Sequence, residues 1–220
     1  MRLILLGPPG AGKGTQGLIL TQRLEIPKVS TGEMLREAVV AGDTIGLATK
    51  SFTDRGLLVP DAIVIEIVRR RLMQEDARSG FLLDGFPRTV NQAEAVEAIL
   101  IEQKQQLDAA VELKVSEAEI VERISNRRVC PNCVERSYHL QLAPPRVPGR
   151  CDECASTLVQ RDDDRAQVVR ARLRTYQEQT SPLTGYYQER GLLVQVDGLR
   201  PVEEVTASIL MALEDRARAG

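Results

Sequence analysis

At 220 residues, with 43% hydrophobic and 27% charged residues, the chain is long enough for one substantial α/β domain and can bury a core. Lys plus Arg total 29 against 31 for Asp plus Glu, a formal net charge of −2 that argues against a basic nucleic-acid coat or a polybasic membrane binder. Aromatics are 3% with no Trp, leaving few platforms for stacked bases, and no apolar run approaches the roughly 18 residues of a membrane span. The apolar stretch after Arg2 stops at Gly7, short of the ~7–15-residue core of a signal peptide. The expectation is a soluble, cytoplasmic protein without nucleic-acid or membrane partners.

Leu3-Ile4-Leu5-Leu6 reads as a short buried strand, ended by Gly7-Pro8-Pro9-Gly10. A helical pattern follows from Lys13, with Leu18, Leu20 and Leu24 among its apolar positions. Phe81-Leu82-Leu83, Val111 to Val115 and Leu192 to Val196 have strand length, and Lys28-Val29 is a weaker candidate. Between them Ile63, Ile67, Val68 and Leu72, then Ile120, Val121 and Ile124, repeat at helical spacing. Continuous apolar strands alternating with helices predict a parallel sheet covered on both faces. Two stretches break the alternation: from about Ser30 to Val59 there are helices without a convincing strand, and from about Asn126 to Asp164 there is little periodicity. Both read as insertions on the ligand side of the sheet. The expected organisation is a core of residues 1–29, 60–125 and 165–220, a helical insertion at 30–59, and a lid-like module at 126–164.

Gly7-Pro8-Pro9-Gly10-Ala11-Gly12-Lys13-Gly14-Thr15 lies between the first strand and the first helix. Glycines let the main chain wrap an anion with its N–H groups inward, the helix N-terminus adds partial positive charge, and Lys13 adds a full one. This is a P-loop in its required context; the bland alternative is an ordinary glycine-rich turn. Gly14 stands where many P-loops carry a Ser or Thr for magnesium, and Thr15 comes one residue later.

All four cysteines lie in the 126–164 stretch. Cys130-x2-Cys133 and Cys151-x2-Cys154 are separated by 17 residues, inside the ~15–20 range of a four-thiolate zinc site. Four sulfurs would complete the shell, making the ion structural and His139 a bystander. Free thiols or a disulfide are the alternatives at this point. Val134-Glu135-Arg136-Ser137 separates Cys133 from Tyr138-His139.

The P-loop resembles that of nucleoside monophosphate kinases. Ser30-Thr31-Gly32-Glu33-Met34-Leu35-Arg36 and Asp84-Gly85-Phe86-Pro87-Arg88 are similar to adenylate kinases in particular, and the match runs in register from Met1 to at least Glu204. The resemblance implies an α/β P-loop kinase core with a five-stranded parallel sheet, an AMP-binding helical insertion and a small lid. The implied activity is reversible, magnesium-dependent phosphoryl transfer from ATP to AMP, giving two ADP, by a monomer. Gly10, Ala11, Gly12, Lys13, Gly14 and Thr15 would then hold ATP phosphates, and Asp84 would hold magnesium through water. Arg36 and Arg88 match the arginines on the AMP phosphate. Arg123, Arg127, Arg161 and Arg172 match those converging on the ATP phosphates and the transferred group, with Arg161 and Arg172 also reaching AMP. Ser137, Tyr138 and Arg200 match contacts to the ATP adenine and ribose. Thr31, Leu57, Leu58, Val59, Gly85, Phe86, Pro87 and Gln92 match the AMP pocket. Asp163 and Asp164 match lid acids, read as ion-pair partners that orient arginines, and long lids of this kind often carry zinc.

Chemistry supports the arginines independently, since phosphoryl transfer between two nucleotides is mostly alignment and charge neutralisation, and a guanidinium makes charged, bidentate contacts. Taken singly an arginine is usually a solvated surface residue, which is the expectation for Arg165 and Arg170. The rivals are a UMP or CMP kinase, which would overturn the role of Gln92, and a P-loop switch that binds one nucleotide and signals through its zinc module. A zinc hydrolase is excluded by the lack of an open coordination position.

Overall fold

In the computed structural model the described residues are 1–133 and 136–219; Val134 and Glu135, within the connection singled out above, lie outside them. Odd and even residues of the first strand, β1 (Arg2–Leu6), enter different cores. Ile4 and Leu6 pack with Leu83, Val68, Val96 and Leu183, whereas Leu3 and Leu5 pack with Leu20, Leu82, Val111 and Ile209. Side chains alternate across a strand, so a run with no polar position needs cover on both faces. Helix α1 (Lys13–Leu24) follows, then β2 (Lys28–Ser30), α2 (Thr31–Ala41), α3 (Thr44–Thr53) and α4 (Asp61–Leu72). After β3 (Phe81–Asp84) come α5 (Val90–Glu102), β4 (Ala109–Lys114) and α6 (Glu117–Ser125). The chain continues through β5 (Arg127–Val129), β6 (Ser137–His139), α7 (Ala166–Thr175), a π-helical turn (Tyr176–Thr180), α8 (Pro182–Glu189), β7 (Leu193–Asp197) and α9 (Val202–Ala219).

The five-stranded sheet is parallel throughout, in the order β2-β3-β1-β4-β7. From β1 the chain moves outward to β2 and back to β3, then crosses to β4 and β7 on the other side. That reversal leaves a crevice at the carboxyl ends of β1 and β3, where open α/β sheets bind ligands. Five of the expected strands form, with shifted ends. The strand expected at Val111 to Val115 begins two residues earlier, because Ala109 and Ala110, fully buried against β1 and β7, supply no bulky apolar signal. In α4 the buried stripe is Val64, Val68 and Leu72, while Ile63 and Ile67 flank it half-buried.

Between β2 and α4, α2 and α3 pack together, and Leu35, Met34, Phe52 and Val59 tie them to the core. The stretch after α6 forms an antiparallel pair, β5 with β6, and its own cluster of Cys130, Tyr138, Cys151 and Leu158. Among the described residues no helix is long and apolar enough to cross a membrane.

Leu83 is fully buried in the centre of the sheet, so Leu83→Ala is expected to lower the free energy of unfolding by about 2–5 kcal/mol, measured by urea denaturation.

Candidate functional site

Gly7, Gly10 and Gly12 of the P-loop have φ of 136°, 83° and 95°, a region other residues adopt with strain. At Gly10 a side chain would also collide with Ile124, since a Cβ would lie 2.8 Å from its Cγ1. Gly12 caps α1 with no side-chain acceptor, so the first N–H groups of the helix are left for an external anion. Lys13 lies over the loop and donates to Gly7 O at 2.7 Å and Pro8 O at 2.8 Å. Burial pushes its pKa down to about 8; the Asp84 carboxylate resists that shift, while Arg88, Arg172 and Arg127 add to it.

Asp84 closes β3 and is buried at the crevice. Gly85 turns the chain with φ 76°, and its carbonyl accepts from Thr31 Oγ1 at 2.9 Å and from Arg88 Nε at 2.7 Å. Thr180 Oγ1, from the π-helical turn, donates to Arg88 O at 2.9 Å. Arg88 is thus anchored along its length, and burial lowers its pKa against the opposing pull of Asp84 and Asp163.

Arg127 Nε donates to Asp164 Oδ2 at 2.8 Å and its Nη2 to Asp164 Oδ1, a two-pronged pair in which the carboxylate is wholly buried. Burial opposes the charge on Arg127, but the Asp164 carboxylate outweighs it and raises the pKa. Arg161 grips Asp163 with two bonds of 2.9 and 2.7 Å, and Arg172 adds a third at 3.0 Å. Burial works to raise Asp163, yet Arg172 and Arg161 pull it down to about 2. Arg172 falls to about 10 through burial, with Asp163 opposing. Arg36, on α2, also falls to about 10 through burial and the nearby Arg161, with Asp163 and Glu33 opposing. Lys13, Arg36, Arg88, Arg127, Arg161 and Arg172 therefore share one field, answered by Asp84, Asp163 and Asp164. Beside them lies an open cleft lined among others by Gly7, Lys13, Leu58, Gly85, Arg88 and Arg172. A surplus of buried positive charge around a P-loop is suited to clustered phosphates.

The other expected site residues are placed less uniformly. Arg123 stands beside the P-loop wall, bonded to Glu119 Oε1 at 2.8 Å and Gly198 O at 2.9 Å. Arg200 is exposed and lies 3.7 Å from Asp197, outside the cleft lining. Tyr138 is buried in the cysteine module, and Ser137 beside it is exposed. Leu57 is exposed, Leu58 half-buried and lining the cleft, and Val59, Phe86 and Thr31 buried. Gln92 is buried at the start of α5, with its amide bonded to Arg88 N and Asp61. Arg165 is exposed and paired with Asp162, and Arg170 is exposed. Gly56, Thr175, Tyr176, Thr180 and Asp61 escaped the sequence reading. The π-helical turn interrupts a pattern that looks like continuous helix, and Asp61 carries only a helix-start signal after Pro60.

The cysteine sulfurs lie within 4.8 Å of one another, with Cys130 and Cys154 at 3.4 Å and Cys133 and Cys151 at 3.9 Å. These are too long for disulfides, at ~2.05 Å, and near the ~3.8 Å edge of a tetrahedron with ~2.3 Å metal–sulfur bonds. All four thiols are free. The Tyr138 hydroxyl sits 3.5 Å from Cys151 Sγ and pulls that thiol down to about 6, while accepting from Asp152 N at 2.8 Å. His139 turns Nδ1 to the N–H groups of Gln141 and Leu142 and lies outside the cluster. The donor set fits a structural metal ion.

The parallel sheet, the P-loop and the facing arginines define a P-loop phosphotransferase of the nucleoside monophosphate kinase class. Comparison with known proteins narrows this. The family model for adenylate kinase matches residues 5–192. An adenylate kinase of Archaeoglobus fulgidus is 49% identical over 97% of this chain and 98% of its own length. Those of Acidothermus cellulolyticus and Methanocella arvoryzae are 48% and 45% identical, each over 99% of this chain and 100% of theirs. The chain belongs to the adenylate kinase family.

Asp163 is charged at a lower pH folded than unfolded, so its contribution to stability is full above the ordinary aspartate pKa of 3.8 and is lost as pH falls towards about 2. Replacing it by Asn is expected to flatten the fall in stability across that window, read from thermal unfolding at a series of pH values.

Proposed function

We propose that the P-loop and the module at 126–164 hold magnesium-bound ATP, that the insertion at 30–59 with Asp84 to Arg88 holds AMP, and that the γ-phosphoryl passes reversibly between them to give two ADP. The observation that carries this reading is the shared field of Lys13 and five arginines drawn from the P-loop, the insertion, the β3 end and the lid side. One phosphate chain at a P-loop needs no such surplus; two nucleotides meeting head to head do.

On this reading the helix N-terminus and residues Gly10 to Thr15 cradle the ATP phosphates, and Lys13 leaves Gly7 O and Pro8 O for them. Phosphate charge then offsets the burial that lowers its pKa. Arg36 and Arg88 hold the AMP phosphate. Arg127, Arg161 and Arg172, aimed by Asp164 and Asp163, neutralise the charge spread over the transferring group, and Arg123 supports the P-loop side. Asp84 would hold magnesium through water, and the ion would supply neutralisation of the ATP phosphate charge. Arg200 lies on the adenine side of ATP. Closure of the insertion and lid over the cleft excludes water, so the group reaches AMP rather than being hydrolysed. Zinc held by Cys130, Cys133, Cys151 and Cys154 gives the lid the rigidity its small core lacks. The protein acts as a cytoplasmic monomer.

Lys13→Met and Arg88→Ala are each expected to lower turnover about 100-fold or more with an unchanged unfolding temperature, measured with AMP, UMP, CMP and GMP as acceptors. Near-normal transfer by either variant, or a pyrimidine preference in the wild type, overturns the assignment. Metal analysis is expected to find zinc at one per chain, and its removal by a strong chelator should lower the first thermal transition. An equal transition in the metal-free protein would refute the structural role.

A further inference from the structure

The carboxylate of Asp61 has no place in the phosphate chemistry, yet three side chains converge on it. Thr89 Oγ1 and Asn91 Nδ2 donate to its Oδ2 at 2.9 and 2.8 Å, and Gln92 Nε2 donates to its Oδ1 at 2.6 Å. Asp61 opens α4, the helix that follows the 30–59 insertion, while the three donors open α5. At the other end of the same amide, Gln92 Oε1 accepts from Arg88 N at 2.7 Å. The amide is buried, with a relative exposure of 2%.

Those partners leave the amide only one orientation. A main-chain N–H can only donate and a carboxylate can only accept. Turning the amide over would set Oε1 against the Asp61 carboxylate and Nε2 against the Arg88 N–H, two buried mismatches in place of two bonds. Thr89 reinforces the arrangement: its Oγ1 accepts from Gln92 N at 3.1 Å and so directs its own proton to Asp61.

We infer that Asp61 is a positioning residue that, together with the Arg88 N–H, locks the Gln92 amide so that the acceptor site accepts 6-amino purine monophosphates and rejects 6-oxo ones. This rests on the reading of Gln92 as a contact to the acceptor base. An amide carries two N–H groups and two lone pairs, so one of each remains for a ligand, in fixed order, with the acceptor on the Arg88 side and the donor on the Asp61 side. Adenine presents a 6-amino donor beside the N1 acceptor, which this order satisfies. Hypoxanthine presents a 6-oxo acceptor beside an N1–H donor, and needs the amide reversed. Discrimination thus comes from a repulsive element, the cost of turning the amide against Asp61, as well as from the bonds to the correct base.

The experiment measures kcat/KM and KM for AMP and inosine 5′-monophosphate, with ATP as donor, in the wild type, Asp61→Asn and Asp61→Glu. An asparagine can face Gln92 with either its oxygen or its amino group, so it removes the mismatch at the Asp61 end and leaves only the Arg88 N–H to oppose a turned amide. Asp61→Asn is expected to lower the AMP-to-inosine preference at least about tenfold, with a higher KM for AMP and an unchanged KM for ATP, while Asp61→Glu keeps the preference. A preference in Asp61→Asn equal to that of the wild type overturns the lock. A wild type that does not favour AMP overturns the acceptor reading itself, so the two failures are distinguishable. Should Asp61→Asn fail to fold, NMR of the wild type labelled with 15N at glutamine side chains decides. The lock requires the Gln92 Nε2 proton that faces Asp61 to be protected from exchange before any nucleotide is added, and rapid exchange of that proton overturns it.

Discussion

The structure depends on a conflict held within one small volume. A lysine and five arginines approach one another at the carboxyl ends of β1 and β3, and burial lowers the pKa of several of them. Left alone, such a cluster would push its own elements apart. Asp163 and Asp164 relieve part of that repulsion, and do so asymmetrically. Asp164, wholly buried, engages Arg127 with two prongs, and Asp163 is divided between Arg161 and Arg172. The acids fix where the guanidiniums point without cancelling the surplus, which remains to be met by substrate phosphates. Preorganised charge of this kind costs little reorganisation when the transferred group arrives.

Much of this was legible in the chain because its signals are local. Leu3 to Leu6, the glycine loop and Lys13 form a strand, a turn and a helix start in immediate succession. The paired cysteines were legible for the same reason, their spacing being short and their donor type unambiguous. Less legible were features decided by tertiary packing. Ala109 and Ala110 belong to a strand because β1 and β7 flank them, which no alanine announces. Tyr138 stands in a segment that matches a nucleotide contact, but the cysteine module is so poor in apolar side chains that it uses the tyrosine ring as core. The flanking Asp84 to Pro87 marked Arg88 in the sequence, whereas the pairing of Arg123 with Glu119 and the position of Arg200 near Asp197 are set by the fold.

The cysteine module is the opposite solution to the one used by the main sheet. There, alternating side chains fill two cores and the strands need no further fastening. The described residues between α6 and α7 form a short antiparallel pair, isolated bridges, a 3-10 turn at Asp162–Asp164, and a cluster built around Cys130, Tyr138, Cys151 and Leu158. Sulfurs gathered at metal-binding separation fit an ion whose coordination would stand in for burial, and the module carries Arg127 at its base and Arg161 at its end.

Charge also sets a limit on what the cleft can recognise. Phosphates are common to every nucleoside monophosphate, so guanidiniums can position an acceptor but cannot identify its base. Identification falls to neutral hydrogen bonds, and a glutamine amide serves only if its two ends cannot exchange places. An unrestrained amide satisfies a 6-amino and a 6-oxo purine equally well, by rotating. The same Arg88 whose side chain belongs to the phosphate field supplies the main-chain N–H that faces Gln92 Oε1, and Asp61 faces the other end. On the proposed reading, phosphate binding and base reading share one short segment after β3, so a shift in that segment disturbs both.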